Sequence, residues 1–590
     1  MPTVKIETRI IENFLGGRGI TVYLGYQSIP TDASPRGPDN SVIFGTGILT
    51  ATMFPSSGMA VATFKSPQTN TLFTSIATGR FGASLKQVGL DFFQILGCAK
   101  TPKYILIDEF SDITLENAEP IWKKNVLEAD KWLRTKYGKD SSIAVIGMSA
   151  VNQVTYAGVA VDRVHFFRRG GLGAVLASKN IKAIVITETP ETRELEGLSH
   201  EDTDQFNKSI ELSKWYNMLR NRGPFSIMFS IIENTILPAK NCSRLLQISQ
   251  EKVSSFRGYG EPLQCWQCPV HCLRCSYQDF VALGPNLKIV DIENIQKAIE
   301  SCDQEALDPL STGAALASLF NIQEDRRKLL DIDLGYNWSN PKIYSLIEKI
   351  IKREEMGDQL SRGEIYLYQQ TSEPSPMIKG QMAGMFYYPN ILGLSLASST
   401  SPYGADNFRS DYMIFPELLG FPFKLNPSSK RGKIKTIILL EKLVAVLDSL
   451  VLCSRYLPFL LDVRRIFRWL SPNLRNNLFN LIPDILIGNF GLELHNLRPL
   501  LRNISDQDLT FNKLLTIGNR ITLLERIFNT RTGMAREEDR FPLFLKKRPD
   551  FFKMQDELLT EYYARKGLTQ KGLVNKKTLK KAGLLGLITI

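Results

Sequence analysis

The chain has 590 residues, 43% hydrophobic and 22% charged, with 32 Phe and a formal net charge of +12. One hydrophobic core stops growing near roughly 250–300 residues, so several domains are expected, and this composition excludes a disordered or collagen-like chain. The positive excess is concentrated at residues 424–475, where 11 Lys or Arg face three acids; that segment suits a solvated helix face or an acidic partner.

In chain order, MPTVKIETRIIENF (1–14) alternates polar and apolar residues and predicts a strand, not a signal peptide. YILIDEF (104–110), SIAVIGM (142–148) and KAIVITE (182–188) predict short strands between Gly, Pro and Asn turns. Within this β-rich part, glycines gather in FLGGRGI (14–20), PSSG (55–58), ATGRFG (77–82) and RRGGLGAVLASKN (168–180). Glycine lets backbone N–H groups approach an anion, and one loop opens with Arg168 and Arg169, which together favour a phosphate-bearing ligand. None of the loops carries the P-loop or dinucleotide-binding spacing. After the polar stretch 187–197 the pattern turns helical, clearest where Leu514, Ile517, Ile521, Leu524 and Phe528 alternate spacings of three and four. The most apolar window, 436–453, is interrupted by Glu441, Lys442 and Asp448 and does not read as a membrane span. A soluble cytoplasmic protein is expected, and nucleic-acid binding is not, since the basic segment contains no recognition module.

QCWQCPVHCLRCS (264–276) holds four of the eight cysteines. A disulfide framework belongs to small secreted domains, so these thiols point to a metal. Cys265, Cys268 and Cys272 form C-x2-C-x3-C, a spacing suited to an iron–sulfur cluster, whose fourth ligand would be either the local Cys275 or the distant Cys453. Zinc, with His271 assisting, is the competing metal, although paired zinc knuckles are normally separated by a longer loop.

A second pattern repeats 145 residues apart: Asp303-Gln-Glu-Ala-Leu-Asp308 and Asp448-Ser-Leu-Val-Leu-Cys453. Taken with FLGGRGITVYLGYQSIP (14–30), FGTGILTATMFPSSG (44–58), RGGLGAVLASKNIKAIVI (169–186), CWQCPVHC (265–272) and LTIGNRITLLERIFNTRTGMAREEDRFP (515–542), it makes the chain resemble the tungsten-dependent aldehyde ferredoxin oxidoreductase family over nearly its whole length. The resemblance implies an α+β fold. A β-rich N-terminal domain of two sheets (1–205) would cover the cofactor, and two mainly helical domains would follow (206–385 and 386–590). It implies Cys265, Cys268, Cys272 and Cys453 as ligands of a [4Fe–4S] cluster, with Cys275 left over. Two pterins chelating tungsten or molybdenum would be held through Asp303, Leu307 and Asp308 of the first hexamer and Asp448 and Leu452 of the second. Gly79, Arg169, Gly170 and Gly171 would cover their phosphates. Ferredoxin or an electron-transfer subunit is the implied partner, a small carbonyl compound the implied substrate, and a homodimer is compatible with it.

The chain departs from the family pattern at identifiable places. Both hexamers lose their glycine, to Ala306 and Val451; Met59 stands where the family has an arginine and Ile76 where it has an asparagine. The family's pocket glutamate and histidine align with Gln278 and Asn407, amides that cannot exchange a proton near neutral pH. Asp279 and Asp406, one residue away from each, are the candidate replacements. These changes leave open a second reading, a non-catalytic relative that keeps the cluster for electron transfer or structure.

Overall fold

The computed structural model describes residues 5–187, 191–195, 198–223, 237–247, 249, 263–272, 276–322, 338, 342–372, 377–406, 409–420, 424–460, 509–541 and 548–588. Cys275, Asn407 and four of the basic residues of the 424–475 segment (464, 465, 468 and 475) lie outside them.

Two sheets dominate the N-terminal part. The first has strand order β3-β2-β1-β4, from β1 (Val42–Gly45), β2 (Ala60–Lys65), β3 (Leu72–Ala77) and β4 (Phe92–Ile95), antiparallel throughout. Strands β1, β2 and β3 are buried on both faces, which explains their near-continuous apolar and Thr composition. The second has order β6-β5-β10-β7-β8-β9: β5 (Lys103–Ile107), β6 (Ile113–Asn117), β7 (Ser142–Val145), β8 (Val159–Val161), β9 (His165–Phe167) and β10 (Ile181–Ile186). β10 runs parallel to β5 and antiparallel to β7. The expected strands at 104–110, 142–148 and 182–188 are thus β5, β7 and β10. The sheets meet where Phe44 of β1 packs edge-on against Phe167 of β9.

The N-terminal segment corrects the strand expectation. It forms helix α1 (Thr8–Phe14), because Ile10 and Phe14, four apart, share one buried face. Helix α2 (Gly17–Ser28) follows. Further on come α3 (Tyr277–Leu283), α4 (Ile292–Gln304), α5 (Pro309–Asn321), α6 (Lys433–Leu450) and α7 (Phe511–Arg531). The periodic window 514–528 lies in α7, and the apolar window 436–453 in α6, which is packed against α2 and α7. Gly518 permits the α6–α7 approach, since a Cβ there would sit 2.2 Å from the Lys442 carbonyl oxygen. Among the described residues no helix is long and apolar enough to cross a membrane.

Both hexamers terminate a helix in the same way. At the end of α4, Leu307 N–H donates to Cys302 O at 2.8 Å with Ala306 left-handed at φ 51°. At the end of α6, Leu452 N–H donates to Leu447 O at 2.9 Å with Val451 left-handed at φ 58°. This six-to-one bond around a left-handed residue is the Schellman cap, which glycine fills without steric cost. The repeat is therefore a helix stop, and it puts Asp303 and Asp448 at equivalent places in the last turn. Val451 is further accommodated by a notch: Cβ atoms at Gly17 or Gly47 would each lie 2.7 Å from its Cγ2.

The basic segment is only partly a surface. Lys433 is completely buried in an ion pair with Glu417, and burial pushes the Lys442 ammonium down to about 8.

Candidate functional site

The cysteine loop is clamped onto the first sheet by its neighbours. Trp266 N–H donates to Gly79 O at 3.2 Å and its indole N–H to Thr52 O at 3.1 Å. Gly58 makes room for it: a Cβ there would lie 2.2 Å from Trp266 Cβ. Gln267 and His271 turn the backbone through left-handed φ of 49° and 50°, which folds the three thiols inward. Cys265, Cys268 and Cys272 then line one cavity of about 410 Å³ together with Cys453, which directly follows the α6 cap. All four are free thiols. Burial pushes the Cys453 thiol up to about 12, with Cys272 and Cys268 adding to the shift and Arg455 opposing it. Burial likewise raises Cys265, as do its three sulfur neighbours. Tyr456 O–H lies 3.4 Å from Cys268 Sγ, stacked on Phe206.

The same cavity is bounded by Arg168, Arg169, Asp303 and Asp308. Arg168 bridges two carboxylates, Asp279 at 2.9 Å and Asp303 in a closer pair. Burial lifts Asp303 to about 6, with Arg168 opposing. Arg169, itself left-handed at φ 67°, pairs with Asp308 at 3.1 Å and donates to Ala405 O at 2.7 Å and to Met382 O. Asp308 also caps α5 through the Ser311 amide. Leu307 is buried and bridges to Ala157, tying the first hexamer to the segment just before β8. Gly79, Gly170 and Gly171 are not among the residues that line the cavity and answer instead to close packing: a Cβ on Gly170 would enter the Phe73 ring, one on Gly171 would lie 2.2 Å from Thr155 O, and one on Gly79 would enter the His165 ring. His165 donates to or accepts from Thr78 Oγ1 at 2.9 Å, and burial holds its imidazole down at about 4, so it is neutral.

The second hexamer faces a buried charge network. Arg18 of α2 donates to Asp448 of α6 at 2.9 Å and, through two nitrogens at 2.9 and 2.8 Å, to Glu525 of α7. Tyr403 O–H also donates to Glu525. Asp448 Oδ1 remains buried without a partner, as do Arg168 Nε and Arg169 Nε. Leu452 is buried beside Cys453.

Gln278 of α3 also lines the cavity and is held by Met385 N–H at its Oε1. Asp279 is committed to Arg168, and Asp406 to Arg409, which donates to it through Nε at 2.9 Å. Met59 and Ile76 are both buried, and Ile76 lines the cavity. Sequence reasoning missed Asp411. This carboxyl lines the cavity, is 8% exposed and accepts from Gln278 Nε2 at 3.4 Å. Its available signal was a lone acid heading the apolar run Tyr412–Phe415.

The chain matches the family profile "Aldehyde ferredoxin oxidoreductase, N-terminal domain" over residues 1–188 and "Aldehyde ferredoxin oxidoreductase, domains 2 & 3" over residues 201–584. It belongs to the aldehyde ferredoxin oxidoreductase family. Tungsten-containing aldehyde ferredoxin oxidoreductase of Pyrococcus furiosus is 29% identical, covering 98% of this chain and 96% of that protein. The enzyme of the same name from Thermococcus kodakarensis is 27% identical with the same coverage. An aliphatic sulfonate oxidoreductase subunit of Pyrococcus furiosus is 24% identical over 61% of this chain and 63% of that one. Among solved structures, the active-site complex BamBC of benzoyl coenzyme A reductase superposes with TM-score 0.76 at 18% identity, over 99% of this chain and 95% of that one, a likeness of fold. In this family member the two sheets and the helical part enclose the cavity between them.

Proposed function

We propose that this chain is a cytoplasmic oxidoreductase that removes two electrons from an aldehyde or a related small carbonyl compound. It would use a bis-pterin tungsten or molybdenum centre and a [4Fe–4S] cluster, with ferredoxin or an electron-transfer subunit as acceptor. The observation that carries the reading is the shared cavity: Cys453 and the three cysteines nearly two hundred residues before it line the same space as Asp303 and Asp308.

The residues fit both groups. Four reduced thiols around one cavity are a donor set for an iron–sulfur cluster, and an electropositive centre offsets the burial that otherwise keeps them protonated. The partnerless Arg168 Nε and Arg169 Nε, on residues that line the cavity, are two donors complementary to phosphate oxygens, whereas Asp448, which is not among the lining residues, keeps one partnerless acceptor. When bound, the metal centre supplies the two-electron acceptor and the cluster the one-electron exit. The chain's own part is to orient and to seal. Arg168 and Arg169 hold the acidic wall in place, and Phe386, Tyr412 and Val444 give the cavity an apolar side that excludes water.

Metal analysis of anaerobically purified protein, followed by aldehyde-dependent reduction of a viologen dye, tests this. Iron and tungsten (or molybdenum) at near-stoichiometric levels with dye reduction is the expected result. Iron alone without dye reduction would instead make the chain a relative that uses the cluster for structure or electron transfer.

A further inference from the structure

We propose that Asp411 is the proton donor for hydration of the carbonyl substrate, filling the role that the amide Gln278 cannot. The assignment rests on the oxidoreductase reading above and concerns the step before any electron moves. Water oxygen bonds to the carbonyl carbon, and the C=O π pair moves onto the carbonyl oxygen, which takes the Asp411 proton. The surplus proton of the added water returns to the Asp411 carboxylate. The product is a geminal diol, the carboxyl is regenerated, and no oxidant is consumed.

Geometry singles out this carboxyl from its neighbours. Asp279 and Asp406 also lie within the buried region, but each is already occupied by a guanidinium, Arg168 and Arg409 respectively. Asp411 has no ion pair among the described residues. Its Oδ2 is fixed by Gln278 Nε2, whose own orientation is set at the other end by Met385 N–H. Its Oδ1 is buried and has no partner, so one carboxyl oxygen keeps an unmet hydrogen bond on a residue that lines the cavity. Gln278 thus acts as a positioning residue: an acid at that position would compete for the same proton, whereas an amide N–H can only donate.

The groups around Asp411 agree with a donor. Burial pushes its carboxyl up to about 8, Asp406 adds to the shift, and Arg169 opposes it. Tyr277 and Tyr388 also face it, and burial raises both phenols, so neither is charged at neutral pH. The carboxyl therefore carries a proton at pH 7 and loses it as pH rises through about 8.

The test is exchange of oxygen-18 from labelled water into benzaldehyde and crotonaldehyde, followed by mass spectrometry on the metal-loaded protein without an electron acceptor. Dye reduction is measured in parallel. Wild type should accelerate exchange, with the rate falling as pH rises through about 8. Asp411→Asn should lower exchange and dye reduction by about 10²–10⁴-fold with iron and tungsten content retained, and Asp411→Glu should recover part of it. Exchange unchanged in the Asn variant would overturn the assignment while leaving the oxidoreductase reading intact. If that variant does not fold, a wild-type exchange rate that stays flat or rises above pH 8 overturns it equally. A fully loaded wild type that neither exchanges oxygen nor reduces dye would overturn both.

Discussion

Asp411 and Tyr456 show how single side chains set the chemistry. A buried carboxyl whose proton is held from its ordinary 3.8 up to about 8 binds that proton more tightly folded than unfolded. Its contribution to stability is full below the unfolded value and is lost as pH rises through the folded one. Asp303, lifted to about 6, acts with the same sign over a narrower window. Chemical denaturation across that range should therefore show stability falling as pH rises, with a shallower fall in Asp411→Asn; equal slopes would contradict the burial of this carboxyl. Tyr456 O–H lies beside the Sγ of Cys268, a ligand of the proposed cluster, and a hydroxyl donating to such a sulfur stabilises the reduced, more negative state. Redox titration of Tyr456→Phe should give a more negative cluster potential with iron content kept. An unchanged potential would show that the hydroxyl does not act on the sulfur.

At the scale of elements, the helix caps decide how the two halves of the site are presented. A left-handed residue that is not glycine costs about 1–2 kcal/mol, and Ala306 occupies such a position. Ala306→Gly should raise stability by about 1 kcal/mol in a urea titration. Gly47→Ala should do the opposite, losing about 1–3 kcal/mol, because its Cβ would fall 2.5 Å from the Leu450 carbonyl oxygen and against Val451. Much of this was legible in the sequence, and for identifiable reasons. The thiols of Cys265, Cys268 and Cys272 are close because of their spacing, so local pattern suffices. β5, β7 and β10 announce themselves as short apolar runs between turns, and α7 by its threes and fours. The N-terminal segment was misleading because Ile10 and Phe14 fit alternation and a helical face equally well; contact with α7 decides the matter. Asp411 was illegible because, besides the nearby Asp406, the groups that act on it are Gln278 and Arg169, both distant in the chain. The hexamers read as ligand motifs, and only the backbone reveals that they are also Schellman caps.

Across the whole molecule, the site exists because the N-terminal and helical parts share buried ions. Arg18 joins α2 to α6 and α7, with Asp448 and Glu525 both out of contact with water. Removing one partner from such a network leaves uncompensated charge and costs about 3–5 kcal/mol, so Arg18→Met should be strongly destabilised in denaturant titration. A loss within experimental error would mean that the network is not needed to hold these helices together. The deeper dependence is on Cys453 joining the three cysteines carried by the preceding loop. Electron paramagnetic resonance of dithionite-reduced protein, wild type against Cys453→Ser with iron counted, measures this directly. Wild type should hold about four irons per chain and give the signal of a reduced [4Fe–4S] cluster, and the variant should lose that signal or convert it to a cluster with fewer irons. An identical signal and iron count in both proteins would contradict the proposed ligand set.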